Sequence, residues 1–123
     1  MSDDVIGFSF LAEPETPVWY LKAGETIFKE GDPAAELYVI RKGRVGIQQG
    51  NRLLDTLEAN DIFGEMALID PAPRSATAIA TTDVALVPIS KKQFLVLVAR
   101  VPTFALDVMT VLVRRLRTAN KAF

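Results

Sequence analysis

The sequence has neither cysteine nor histidine among its 123 residues. Without cysteine there is no disulfide, no thiol nucleophile and no thiolate metal site. Without histidine the usual general base, most zinc sites and the facial iron triad are gone. A metal-dependent barrel enzyme of the cupin kind, which needs a histidine-rich site, is therefore excluded. Excess charge is also missing, since 14 Lys and Arg face 15 Asp and Glu for a net charge of −1. That balance argues against a nucleic-acid surface spread over the whole domain. No apolar run reaches the roughly 18 residues a membrane-spanning helix needs. The start, Met1-Ser2-Asp3-Asp4, is acidic and lacks the basic opening of a signal peptide, so a cytoplasmic chain is expected.

What remains is a chain that is 50% hydrophobic, long enough for one domain with a core of its own. Residues 1–16 are the least legible, an apolar stretch around Val5–Leu11 interrupted at Gly7 and closed by Pro14 and Pro17. From residue 17 to 89 the pattern is short strands punctuated by turns. Strand formers occupy 18–22, 26–29, 37–41, 44–49, 52–57, 75–81 and 84–89, a pattern of about eight short strands. Turn residues sit between them at Ala23-Gly24-Glu25, Glu30-Gly31-Asp32-Pro33, Lys42-Gly43 and Gly50-Asn51. This is the pattern of a sandwich or a jelly-roll barrel. Residues 90–123 read as two helices. Ser90-Lys91-Lys92-Gln93 is a capping box for the first, whose apolar face is Phe94, Leu95, Leu97 and Val98. The second starts around Pro102. Ala105, Val108, Met109, Leu112, Leu116 and Ala119 form its stripe, widened by Phe104, Val111 and Val113. Arg114, Arg115, Arg117 and Lys121 gather at its C-terminal end, where cations suit the helix dipole.

The chemistry concentrates in residues 63–77. Gly64 permits a positive φ or a close backbone approach. Glu65 to Ile69 can wind one or two helical turns before Pro71 and Pro73 end them. So short a helix leaves its first N–H groups unpaired and forms an anion seat. Arg74 follows at a distance that lets its guanidinium fold back over that seat and hold a phosphate through two parallel hydrogen bonds. Glu65 suits an anion site only if it accepts from a hydroxyl on the same ligand. A phosphate next to a ribose hydroxyl satisfies both side chains. The alternative is an ion pair between Glu65 and Arg74 with no ligand role.

The segment resembles the phosphate-binding cassette of the cyclic nucleotide-binding domain. The pattern Phe-Gly-Glu-x-Ala-Leu, a short loop and Pro-Arg-Ser-Ala is met by residues 63–68 and 73–76, and Gly24, Gly31 and Gly43 fall where that family turns. The resemblance covers about residues 18–118. It implies a mainly β fold with flanking helices: a β-jelly-roll barrel with a short cassette helix and two C-terminal helices, in a single domain over 1–123. It implies that Glu65 holds the ribose 2′-hydroxyl and that Arg74 pairs with the cyclic phosphate. Backbone N–H groups around Met66 and Ala67 complete the cradle next to Gly64, which is also placed in the binding site. Ser75 touches phosphate or base, and Ile47 and Leu54 are candidates for the apolar wall for the base. One of Arg114, Arg115 and Arg117 is a candidate to meet the base.

The expected ligand is cyclic AMP, with cyclic GMP as the alternative. No metal, no further cofactor and no enzymatic activity are expected. The expected role is a sensor that couples ligand binding to its last helix and to an effector protein, with homodimerisation through that helix as a further expectation. Relatives that bind DNA append a helix-turn-helix, for which the chain leaves no room before Phe123, so no direct DNA contact is expected. The competing readings are a non-binding interaction domain of the same fold and a fragment of a larger regulator or channel. Arg74 is expected to pack little of the core.

Overall fold

A computed structural model of the chain describes residues 16–70 and 72–119. The readings made for 1–15, Pro71 and Lys121 lie outside the described residues. Eight strands form two antiparallel sheets. They are β1 (Trp19–Leu21), β2 (Thr26–Phe28), β3 (Glu36–Lys42), β4 (Val45–Gln49), β5 (Arg52–Leu57), β6 (Ile62–Phe63), β7 (Thr77–Ala80) and β8 (Val84–Ser90). One sheet has the order β1-β8-β3-β6 and the other β2-β7-β4-β5, the crossed connectivity of a jelly roll. Two helices follow, α1 (Lys91–Arg100) and α2 (Thr103–Ala119).

The first sheet is buried on both faces, and strand alternation divides its side chains between two cores. Leu37 and Val39 of β3, Ile62 of β6, and Val87 and Ile89 of β8 face the helices and meet Phe104, Val108 and Val111 of α2. Tyr38, Ile40, Phe63, Val84 and Leu86 point the other way, toward Val45, Leu57, Ala78 and Ala80 of the second sheet. Two-sided burial explains the unbroken apolar runs Leu37–Ile40 and Val84–Val87. The two-residue strand β6 contributes one side chain to each core, Ile62 and Phe63. Its brevity hid it from the sequence pattern.

The capping box forms as read. Gln93 N–H donates to Ser90 Oγ at 3.2 Å, and Ser90 N–H donates to Gln93 Oε1 at 2.8 Å. Two helix faces need correction. In α1, Leu95 is exposed, and Phe94, Leu97 and Val98 alone pack on the core. In α2 the buried face is Phe104, Val108 and Val111, whereas Met109 and Leu116 from the expected stripe are exposed, as are Leu106 and Val113. The helix is apolar on two sides, and only contact with the sheet decides which side is covered.

Candidate functional site

Gly64 follows β6 with φ +76°, and Glu65–Leu68 then form a single 3-10 turn, the short helix expected here. A Cβ at residue 64 would stand 2.7 Å from Arg74 Nη1 and 3.3 Å from the Glu36 carbonyl oxygen, so both backbone conformation and space demand glycine. Ala67 N–H donates to the Gly64 carbonyl at 3.2 Å. For the N–H groups of Glu65 and Met66 no backbone acceptor occurs among the described residues.

Arg74 is buried, contrary to the expectation that it packs little. Its backbone is clamped to the β2–β3 turn: Arg74 N–H donates to the Asp32 carbonyl at 2.9 Å, and Gly31 N–H donates to the Arg74 carbonyl at 2.8 Å. Its side chain runs back over the Phe28 ring, with Cζ 4.1 Å from the centroid. Nη1 donates to the Gly64 carbonyl at 3.1 Å and Nη2 to the Glu36 carbonyl at 2.7 Å. Nε–H is buried and has no partner among the described residues. A guanidinium has five N–H donors. The two carbonyls fix its position and leave donors for an anion. It does not pair with Glu65, so the ligand-free ion-pair alternative between these two residues is not what forms.

The platform beneath Arg74 is aromatic. Phe28, Tyr38 and Phe63 lie with ring centroids 5.3–6.1 Å apart. Burial pushes the Tyr38 phenol above its ordinary value of 10.0; the Glu36 carboxylate adds to the rise and the Arg74 cation opposes it.

These residues border a cavity of about 470 Å³. Gly64, Glu65, Met66, Ala67, Arg74 and Ser75 line it from the cassette, and Ile47 and Leu54 from strands β4 and β5, so all eight residues singled out in the sequence meet in one place. Ser75 is exposed, and its carbonyl accepts from Gln49 Nε2 at 2.9 Å, which ties the β4–β5 hairpin to the cassette exit. The chain thus presents a cationic, amide-rich end and an apolar wall, which gives an elongated ligand one orientation.

Of the three candidate arginines, Arg115 is the one that reaches the cavity. Phe104, Val108, Val111 and Arg115 recur at four, three and four residues, so they share a helix face. The apolar three anchor α2 and deliver the arginine. Arg115 Nη1 lies 3.4 Å from Glu65 Oε1, Nη2 donates to the Ile62 carbonyl, and Asp61 Oδ1 is 3.8 Å away. The last helix is thereby fastened to the carboxylate at the mouth of the site. No group of three or more potential metal-ligating side chains occurs among the described residues.

The model of the cyclic nucleotide-binding domain matches residues 18–101 of the chain. The cyclic AMP receptor protein of Thermus thermophilus is 35% identical over 102 residues, which cover 79% of this chain and 47% of the relative. A cAMP-dependent protein kinase regulatory subunit from Hypocrea atroviridis is 37% identical over 71 residues, covering 58% of this chain and 15% of that protein. Among solved structures, the Thermus thermophilus catabolite activator protein superposes with a TM-score of 0.73 at 32% identity, over 86% of this chain and 52% of the other. The chain spans about half the length of the bacterial curated relative or less in the kinase subunit.

Proposed function

This chain belongs to the cyclic nucleotide-binding domain family, and from that premise we propose that it is a sensor for a purine 3′,5′-cyclic nucleotide, cyclic AMP among them, and not an enzyme. The observation that carries the reading is the convergence of Arg74, the Glu65 and Met66 amides and the Glu65 carboxylate on one cavity. The phosphate takes the amides and the remaining guanidinium donors. The ribose 2′-hydroxyl donates to Glu65, and the base lies against Ile47 and Leu54. Two of the first relatives carry cyclic AMP in their names, which supports that nucleotide as a ligand.

The output is a shift between positions of α2. Glu65 faces the ligand on one side and Arg115 of α2 on the other, so occupation of the site and the seating of the helix compete for or share one carboxylate. A ligand that binds one helix position about 100-fold better than the other moves that equilibrium by about 2.7 kcal/mol. An effector protein in the cytoplasm reads the helix, in the same proposal.

Titration calorimetry with cyclic AMP and its 2′-deoxy analogue, on the wild type and Glu65→Ala, tests the ribose assignment. Loss of a hydrogen bond to a charged group costs about 1.5–3 kcal/mol, so the deoxy analogue binds the wild type more than about tenfold more weakly. In Glu65→Ala the two ligands bind alike. Equal penalties for the deoxy analogue in both proteins would remove Glu65 from the ribose site. Failure of the wild type to bind any purine cyclic nucleotide at millimolar concentration would leave the interaction-domain reading.

The same helix carries the proposal for a partner. Leu106, Met109, Val113 and Leu116 are exposed and recur at three, four and three residues, the spacing of a coiled-coil seam. We place a second copy of the chain there. Sedimentation velocity is expected to give a dimer, and Val113→Glu a monomer. A wild type that sediments as a monomer at all concentrations up to about 100 μM, a range where specific interfaces assemble, counts against this seam.

A further inference from the structure

Strands β4 and β5 contribute Ile47, Leu54, Asp55 and Leu57 to the cavity, and Asp55 is the only charged side chain among them. A simple hairpin would not put it there. Gln49 pairs with Arg52 and Gln48 with Leu53, but the next pair is Ile47 with Asp55. Leu54 is the extra residue of a β-bulge. An unbroken ladder would place Leu54 opposite Ile47 and turn Asp55 to the outer face, because a one-residue slip reverses every side chain. With the bulge, Asp55 shares a face with Ile47, Val45 and Leu57, the face that meets the inter-sheet core. Asp55 Oδ1 accepts from Thr56 N–H at 2.8 Å, which fixes the carboxylate.

We propose that Asp55, re-aimed by the bulge, reads the base of the ligand and favours guanine. The inference rests on the cyclic-nucleotide reading above. A carboxylate only accepts hydrogen bonds. Guanine presents two adjacent donors on one edge, N1–H and the 2-amino group, which match the two carboxylate oxygens. Adenine presents one donor, the 6-amino group, beside the N1 lone pair, which the carboxylate repels. The site therefore holds cyclic GMP at least as tightly as cyclic AMP, although the apolar wall alone has no preference between purines.

The test is competition binding on the full chain with cyclic AMP, cyclic GMP and cyclic IMP, for the wild type, Asp55→Asn and Asp55→Ala. The asparagine amide can donate to adenine N1 while accepting from its 6-amino group. Asp55→Asn therefore moves the ratio of the two Kd values toward cyclic AMP by about tenfold or more, the discrimination of a good bidentate pair. Asp55→Ala moves the ratio in the same direction and by less. Cyclic IMP, which keeps N1–H but lacks the 2-amino group, falls between the other two on the wild type. Asp55 is exposed, so both variants fold, and thermal melts check this. A wild type that binds cyclic AMP more tightly than cyclic GMP overturns the inference, as does a Kd ratio that Asp55→Asn leaves unchanged, about tenfold being the effect at stake. If both nucleotides bind and the ratio does not move, only the role of Asp55 falls. If neither binds the wild type, the ligand reading falls with it.

Discussion

Arg74→Ala is expected to lose both nucleotide affinity and stability. The stability loss follows from what the side chain holds. Removing it strands the Gly64 and Glu36 carbonyls without their donors at 3.1 and 2.7 Å and uncovers the Phe28 ring. Each buried acceptor left unsatisfied costs about 1–3 kcal/mol, so the sum over the two is about 2–6 kcal/mol. For a domain of this size that lowers Tm by about 10 °C or more. The affinity loss follows from the phosphate losing its charge partner, a truncation that costs about 2–5 kcal/mol, or about 30-fold and upward.

The two effects separate by measuring affinity well below the lowered Tm and by making Arg74→Lys. Lysine keeps the charge but not the planar fork, so it recovers part of the affinity and little of the carbonyl bonding. An Arg74→Ala protein that is folded and binds cyclic nucleotide as the wild type does would leave Arg74 as a structural tie alone.

Phe104→Ala is expected to be the most damaging change in the core. Phe104 is fully buried, at the junction of α1, α2 and the first sheet. It meets Phe94 with ring centroids 5.5 Å apart and packs with Leu37, Val39, Ile62 and Ile89. Truncating a buried phenylalanine costs about 3–5 kcal/mol, much of it from the cavity left behind. The loss also has a functional consequence, since Phe104 begins the helix face that ends at Arg115. With that anchor gone, the contacts of Arg115 with Glu65 and Ile62 weaken. Amide exchange is expected to rise first along α2, before the strands open. Uniform exchange across the chain, or a denaturation midpoint within about 1 kcal/mol of the wild type, would show that α2 is not held by this residue.

Strands, turns and the cassette were legible because each is a local code. Alternation shows in consecutive residues, Ser90 and Gln93 recognise one another across one helical turn, and Gly64, Glu65 and Arg74 lie within eleven positions. Strand β6 escaped because two residues carry no period. The covered face of α2 escaped because Val108 and Met109 are equally apolar, and only the sheet opposite decides between them. Arg74 was legible as part of the cassette but not as a buried tie, since its acceptor at Glu36 is 38 residues away.

By itself, then, the sequence determined the class of fold, the absence of thiol and imidazole chemistry, and the cassette with its arginine and its acid. Only the tertiary structure decided that Arg115 and not its neighbours meets Glu65, and that a bulge turns Asp55 into the cavity. The reason is physical. A side chain's type and its near neighbours are written along the chain. The face it presents depends on register and on packing against elements distant in sequence, where one residue's slip or one helix's rotation exchanges buried for exposed.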